Sequence, residues 1–125
     1  MARVILHIDD DPDIRIMVST VMRKEGFDVL SFETVESAWP SLDSHTIDLI
    51  LMDVMVEEQD SGLTAFDMLG KKYPHIPVVL MTSLGDMVRP FFSDRGYDVW
   101  ILEKPVSPDQ LVYSIHSRIV NASRK

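Results

Sequence analysis

The sequence predicts an α/β fold: a doubly wound, five-stranded parallel sheet with helices on both faces. Three observations predict it. Short, nearly continuous apolar runs recur along the 125 residues, as strands buried on both faces require. The segments between them carry apolar residues at helical spacing. Strand-like and helix-like segments alternate, the signature of βαβ units rather than of hairpins.

Taken in order, Arg3–Ile8 (RVILHI) is the first strand. Asp11-Pro12 opens the first helix, with Asp11 as its cap and Pro12 suited to its first position. Ile14, Met17, Val18, Val21 and Met22 form its apolar stripe and Gly26 ends it. Phe27–Phe32 is the second strand, and Thr34–Trp39 a short helix that stops near Pro40. Ile47–Met52 (IDLILM) is the third strand. Leu63, Phe66 and Leu69 mark a third helix ending before Pro74, and Ile76–Met81 (IPVVLM) is the fourth strand. A proline inside a helix costs about 3 kcal/mol in a lost hydrogen bond and a clash. The fourth helix, within residues 85–95, is therefore expected either to start late, with Pro90 in its first turn, or to be kinked, the late start being the favoured reading. Val99–Leu102 is the fifth strand; Ser107-Pro108 starts the last helix, with Leu111, Ile115 and Ile119 on its apolar face. One domain is expected over residues 1–125, ordered over residues 2–121, with a frayed polar tail.

Composition narrows the function. With 46% hydrophobic and 26% charged residues, the balance is that of a globular domain. Cysteine is absent, which excludes disulfides, thiolate nucleophiles and thiolate metal sites. No apolar run reaches membrane-spanning length, and the opening MARVILHIDD turns acidic too soon for a signal peptide, so a cytoplasmic location is expected. The net charge of −8 argues against direct nucleic-acid binding and fits a metal ion or a cationic partner, although for most of these charges solubility is the simpler account.

In open parallel sheets, ligands sit beyond the carboxyl ends of the strands. There the chain places Asp9, Asp10 and Asp11 after the first strand, Asp53 after the third, Thr82 and Ser83 after the fourth, and Glu103, Lys104 and Pro105 after the fifth. Carboxylates gathered this closely repel one another unless a cation lies between them. Hard oxygen donors, with no histidine or cysteine expected nearby, suit Mg²⁺. Asp53 is then placed to act as a nucleophile that forms an acyl phosphate, Lys104 to neutralise a phosphoryl oxygen and Thr82 to hydrogen-bond another.

These residues, in this order, resemble the receiver domain of two-component response regulators. The resemblance rests on ILHIDDDPDIR, DLILMDVM, VVLMTS and EKP and spans essentially the whole chain. It implies the sheet order 2-1-3-4-5. It also implies that Asp53 is the phosphoacceptor, that Asp10 binds Mg²⁺ directly with Asp9 beside it acting through water, and that the backbone carbonyl of Met55 is a further metal ligand. Thr82 matches the switch hydroxyl and Lys104 the phosphate-binding lysine, whose bond to Pro105 is often cis in the family. The implied partners are a sensor histidine kinase or phosphotransfer protein and a downstream protein target. A homodimer through the face of the fourth helix, fifth strand and last helix is a further possibility. The implied chemistry is that of a switching module with weak self-phosphorylation and autodephosphorylation, not a turnover enzyme. With no effector region after the last helix, output is expected to pass through a partner.

Some positions depart from the pattern. The loop after Asp53 is longer and more acidic, with Val56, Glu57, Glu58, Gln59 and Asp60 where the family has a Met-Pro and reaches Asp-Gly sooner. A solvated loop is the plain reading; tuning of metal affinity or contact with a basic partner is the sharper one. Ile101 stands at the usual aromatic switch position, and Trp100 beside it is expected to point the opposite way and to serve packing or a partner surface. Leu84 and Met55 would flank the phosphoryl site and shield it from water. Asp13 is read as compensating the helix dipole. His7, inside the first strand, is read as a satisfied core histidine, and the scatter of His7, His45, His75 and His116 argues against a histidine metal site.

Two alternatives stand beside this reading. One is a receiver-like interaction module that works without phosphorylation, against which the complete set of Asp9, Asp10, Asp53, Thr82 and Lys104 speaks. The other is a small phosphohydrolase of the haloacid dehalogenase type using Asp9 and Asp11. That motif wants threonine or valine two residues after its second aspartate, where Asp13 stands.

Overall fold

The apolar runs form the strands. In the computed structural model, which describes residues 2–53, 67–83, 85, 89–90 and 100–123, they are β1 (Val4–Ile8), β2 (Asp28–Phe32), β3 (Leu49–Asp53), β4 (Val78–Thr82) and β5 (Trp100–Glu103). All pair in parallel, in the order β2-β1-β3-β4-β5. This is the doubly wound order with its switch point between β1 and β3, where a crevice opens at the carboxyl ends.

Alternation along each strand divides the core into two layers. Leu6, Ile8, Ile50, Met52 and Leu80 face α2 (Val35–Ser44) and the helical residues 67–72, packing with Ala38, Leu42 and Leu69. Ile5, Val29, Leu49, Leu51, Val79 and Met81 face α1 (Pro12–Lys24) and the C-terminal helix (Pro108–Ser123), packing with Val18, Met22, Leu111, Ile115 and Ile119. Both faces are covered, which is why the central strands carry almost no polar side chain until their tips.

α1 begins and ends as its sequence dictates. Asp11 accepts a hydrogen bond from the Asp13 amide, Pro12 takes the first turn, and Asp13 adds negative charge there. At the other end Gly26 adopts φ +90°, which turns the chain so that the Phe27 amide reaches the Met22 carbonyl at 3.1 Å. Helix 67–72 stops before Pro74 as expected and is held to α2 through a surface cluster. Lys72 lies 5.2 Å from the Trp39 ring and 2.9 Å from Asp43, and the Tyr73 hydroxyl donates to Asp43.

Two helix boundaries differ from expectation. α2 does not stop near Pro40 but runs through it to Ser44. Thr34 and Ser37 form a reciprocal capping box, the Ser44 hydroxyl donates to the Pro40 carbonyl at 2.7 Å, and Ala38 and Leu42 are buried. Burying a leucine contributes about 1.5–3 kcal/mol and a good cap about 1 kcal/mol. Together they offset the proline's cost of about 3 kcal/mol, so tertiary packing overrides the local preference. In the fourth helical segment, Gly85 is already helical, as are Arg89 and Pro90, so helical backbone begins ahead of the late start expected at Pro90. Much of the rest of residues 84–99, like residues 54–66 after β3, lies outside the described residues.

Replacing Pro40 by alanine restores an amide donor inside α2 and relieves the clash with the preceding turn. Pro40→Ala is expected to stabilise the fold by about 1–2 kcal/mol, once the looser unfolded chain is counted against the gain. A urea unfolding midpoint equal to or below that of the wild type would contradict this account of α2.

Candidate functional site

The strand register brings the polar tips together. Ile8 pairs with Met52, so Asp9 and Asp53 emerge side by side. Asp53 pairs with Met81, and Thr82 with Glu103, so Lys104 follows at the same edge. The Lys104 amide donates to the Thr82 carbonyl at 2.8 Å, which ties the turn after β5 to the tip of β4; the Lys104-Pro105 bond is cis.

Asp9 is fixed from several directions. Its amide donates to the Phe32 carbonyl at 3.0 Å, and its own carbonyl accepts from Arg15 Nη1 at 2.6 Å. Its Oδ1 accepts from the Asp11 amide at 2.9 Å. Its Oδ2 lies 3.3 Å from Lys104 Nζ and 3.8 Å from His7 Nε2. The same lysine donates to Asp53 Oδ1 at 2.7 Å. Carboxylate oxygens of Asp9, Asp10 and Asp53 all come within 4.8 Å of one another. The three side chains thus form a graded set: Asp9 is buried, Asp53 partly so, and Asp10 open to solvent.

The electrostatics follow from this crowding. Burial raises the pKa of Asp53; the hydrogen bond from Lys104 opposes that rise, and the neighbouring charges of Asp9 and Asp10 add to it. Burial alone would lower the pKa of Lys104, but its bond to Asp53 and the charges of Asp53 and Asp9 prevail and hold it above its ordinary value. One ammonium, in contact with Asp53 and Asp9, therefore faces a cluster of three carboxylates. This donor set, hard oxygens carrying excess negative charge, fits a small divalent cation such as Mg²⁺.

The structure gathers Asp9, Asp10, Asp53 and Lys104. Thr82, buried to 1% exposure, stands at the same edge, and strand alternation places it toward the opposite face from Met81. The expected metal ligand Met55, the flanking Leu84 and the acidic loop Val56–Asp60 lie outside the described residues. Trp100 and Ile101 do point to opposite faces: Ile101 packs in the α2 layer and Trp100 in the α1 layer, with the Arg118 guanidinium 5.5 Å from its ring. Packing is therefore what the structure shows for Trp100.

His7 corrects an expectation. It is fully buried, but it is not satisfied: neither ring nitrogen has a hydrogen-bond partner among the described residues. Burial, then the charges of Lys104 and Arg15, pull its pKa down to about 4, so the imidazole is neutral at pH 7. Arg15 is a contributor the sequence reading passed over. Its signal was present as the lone basic residue in DDDPDIR.

Because the folded-state pKa of Asp53 is raised, its contribution favours folding below the ordinary carboxylate range and turns into a cost as pH rises through the folded pKa. Asp53→Asn removes the ionisable group. It is expected to raise the melting temperature at pH 7, with the difference shrinking as pH falls through the raised pKa of Asp53 and gone below the ordinary carboxylate range. A variant less stable than the wild type at pH 7 would show that the Lys104 contact outweighs the burial and repulsion.

Comparison with known proteins agrees with this geometry. Residues 5–116 match the response regulator receiver domain family. The phosphate regulon transcriptional regulatory protein PhoB of Klebsiella pneumoniae is 38% identical over 92% of this chain, which spans 51% of that protein. The nitrogen assimilation regulatory protein NtrX of Azorhizobium caulinodans is 26% identical over 90% of this chain, which spans 25% of it. The chain thus covers between about a quarter and a half of these curated relatives. A crystal structure of a response regulator from Thermotoga maritima superposes with a TM-score of 0.83 at 21% identity, covering 96% of this chain and 99% of that one, which supports the fold. The matched family is a signalling module, and Asp9, closed in by backbone and side-chain contacts, is poorly placed to be the nucleophile of a phosphohydrolase. With its sheet order, its carboxylate cluster and its lysine all in agreement, the chain belongs to the receiver domain family of two-component response regulators.

Proposed function

We propose that this chain is a phosphorylatable receiver, that Asp53 accepts the phosphoryl group, and that Asp9, Asp10, Asp53 and the backbone carbonyl of Met55 hold Mg²⁺. The observation that carries this reading is the 2.7 Å contact between Lys104 Nζ and Asp53 Oδ1 within a cluster of three carboxylates. A lysine held against one carboxylate oxygen leaves the other to attack in this reading.

The donor in this reading is a phosphohistidine on a sensor kinase or a phosphotransfer protein. An Asp53 oxygen attacks phosphorus, the phosphorus–nitrogen bond breaks, and the departing imidazole keeps the electron pair and takes up a proton. The product is an acyl phosphate. Lys104 follows the charge from the carboxylate to a phosphoryl oxygen, as a flexible point charge can. Thr82 turns its hydroxyl toward a second oxygen, and its movement carries the signal to the region after β4 and to β5. Bound Mg²⁺ supplies charge neutralisation between the carboxylates and the phosphoryl oxygens. The altered surface engages a downstream protein or a second copy of the chain through the fourth helix, β5 and the C-terminal helix. Such a module is cytoplasmic and only weakly reactive on its own. Among the described residues, no helix is long and apolar enough to cross a membrane.

Intact mass measured after incubation with acetyl phosphate and MgCl₂ tests the reading. A gain of about 80 Da, one phosphoryl group, is expected for the wild type and is expected to disappear with Asp53→Asn or with a chelator. An unmodified wild type, under conditions that label another receiver, would select the phosphate-independent module instead.

A further inference from the structure

His7 is the polar side chain of this core that has no evident reason to be there. On its face of β1 the preceding residue is Ile5, fully buried, and the neighbours in register are Ser31 on β2 and Leu51 on β3. The Ser31 hydroxyl is already engaged with the Ser19 hydroxyl at 3.1 Å. An imidazole here leaves two nitrogens buried without partners, and buried polar groups in native structures are as a rule bonded. Packing alone would favour an aliphatic side chain, as at every other interior position of β1.

What the imidazole does have is proximity. His7 and Asp9 stand two residues apart and so share a face, and Nε2 lies 3.8 Å from Asp9 Oδ2 with both side chains fully buried. That separation is about 1 Å beyond a hydrogen bond, and such contacts in an unliganded site tighten when the ligand arrives. Asp9 Oδ2 currently faces Lys104 at 3.3 Å, but Lys104 is shared with Asp53. When Lys104 turns to a phosphoryl oxygen, Asp9 Oδ2 loses its cation and the imidazole remains beside it.

We propose that His7 is a positioning residue for Asp9: its ring N–H donates to Oδ2 and fixes the carboxylate rotamer that meets the cation. This rests on the reading above that Asp9 belongs to the Mg²⁺ site. The partners of a metal-binding carboxylate set its orientation, and removing one typically weakens metal binding by about 10–100-fold.

The test is an NMR titration of the isotopically labelled full chain with MgCl₂, for the wild type, His7→Val and His7→Gln, alongside melting temperatures without metal. His7→Val removes the donor and suits a buried parallel strand, with His7→Leu as a second apolar replacement. The apolar variants are expected to melt no lower than the wild type, yet to bind Mg²⁺ about tenfold more weakly. His7→Gln, which keeps a donor, is expected to stay within about threefold of the wild type. Wild-type affinity in the apolar variants would overturn the proposal. So would equal weakening in the apolar variants and in glutamine, which would point to packing. A wild type whose Asp10 and Asp53 amides do not respond to Mg²⁺ would instead bring down the metal site itself, and His7's role with it.

Discussion

The charge imbalance at the strand tips is the constraint on which the rest of the structure depends. Three carboxylates cluster beside one close ammonium among the described residues, and that ammonium is committed to Asp53 at 2.7 Å and to Asp9 at 3.3 Å. Left to relax, such groups would separate into water. They are kept together because Asp53 ends a strand buried on both faces and Asp9 follows directly from another. The pairing of those strands is continuous from Ile5 with Leu49 to Ile8 with Met52. The two apolar layers below therefore do more than stabilise the domain. They hold a locally unfavourable arrangement of charge in place.

Parallel strands suit this purpose. Every strand ends at the same edge, so the sequence need only place a polar residue after each apolar run for those residues to meet. Side-chain alternation then sorts them. Asp9 continues the face of Ile5 and His7, Asp53 that of Leu49 and Leu51, and both come under Lys104. Thr82 falls on the other face, and the same rule separates Ile101 from Trp100. In the proposed switch, reactive and responding groups on opposite faces of one sheet would pass a local event to both helical layers.

Much of this was legible in the sequence, for reasons that can be named. The strands were readable because burial on both faces forces uninterrupted apolar runs, and the site because polar residues punctuate those runs at one end only. α1 was readable because Asp11, Pro12 and Gly26 act through local backbone geometry. α2 was misjudged because its extent is a tertiary matter. Pro40 is disfavoured locally and tolerated because Ala38 and Leu42 reach the core. His7 was misjudged for the opposite reason. Its burial was plain from the run RVILHI, but whether a buried imidazole finds a partner depends on what surrounds it in three dimensions, and the sequence does not carry that.

The same charge accounting links the metal to the chemistry. In the proposed reaction, an acyl phosphate on Asp53 would replace one carboxylate charge with a group of about −1.5 to −2. Lys104 cannot balance that and Asp9 together, since a single ammonium at these distances already leaves the cluster negative. A divalent cation offsets what the phosphoryl group adds, so the modification and the cation are thermodynamically coupled: each is better tolerated when the other is present. The deep carboxylate is the one most exposed to this coupling. Asp10 can turn to solvent and Asp53 would carry the phosphoryl group in the proposed reaction, whereas Asp9 is enclosed and has only its backbone contacts and neighbouring side chains to steady it. A neutral donor beneath Asp9 steadies it without adding a charge that would compete with the cation, and that is the property a buried imidazole brings and a second lysine would not.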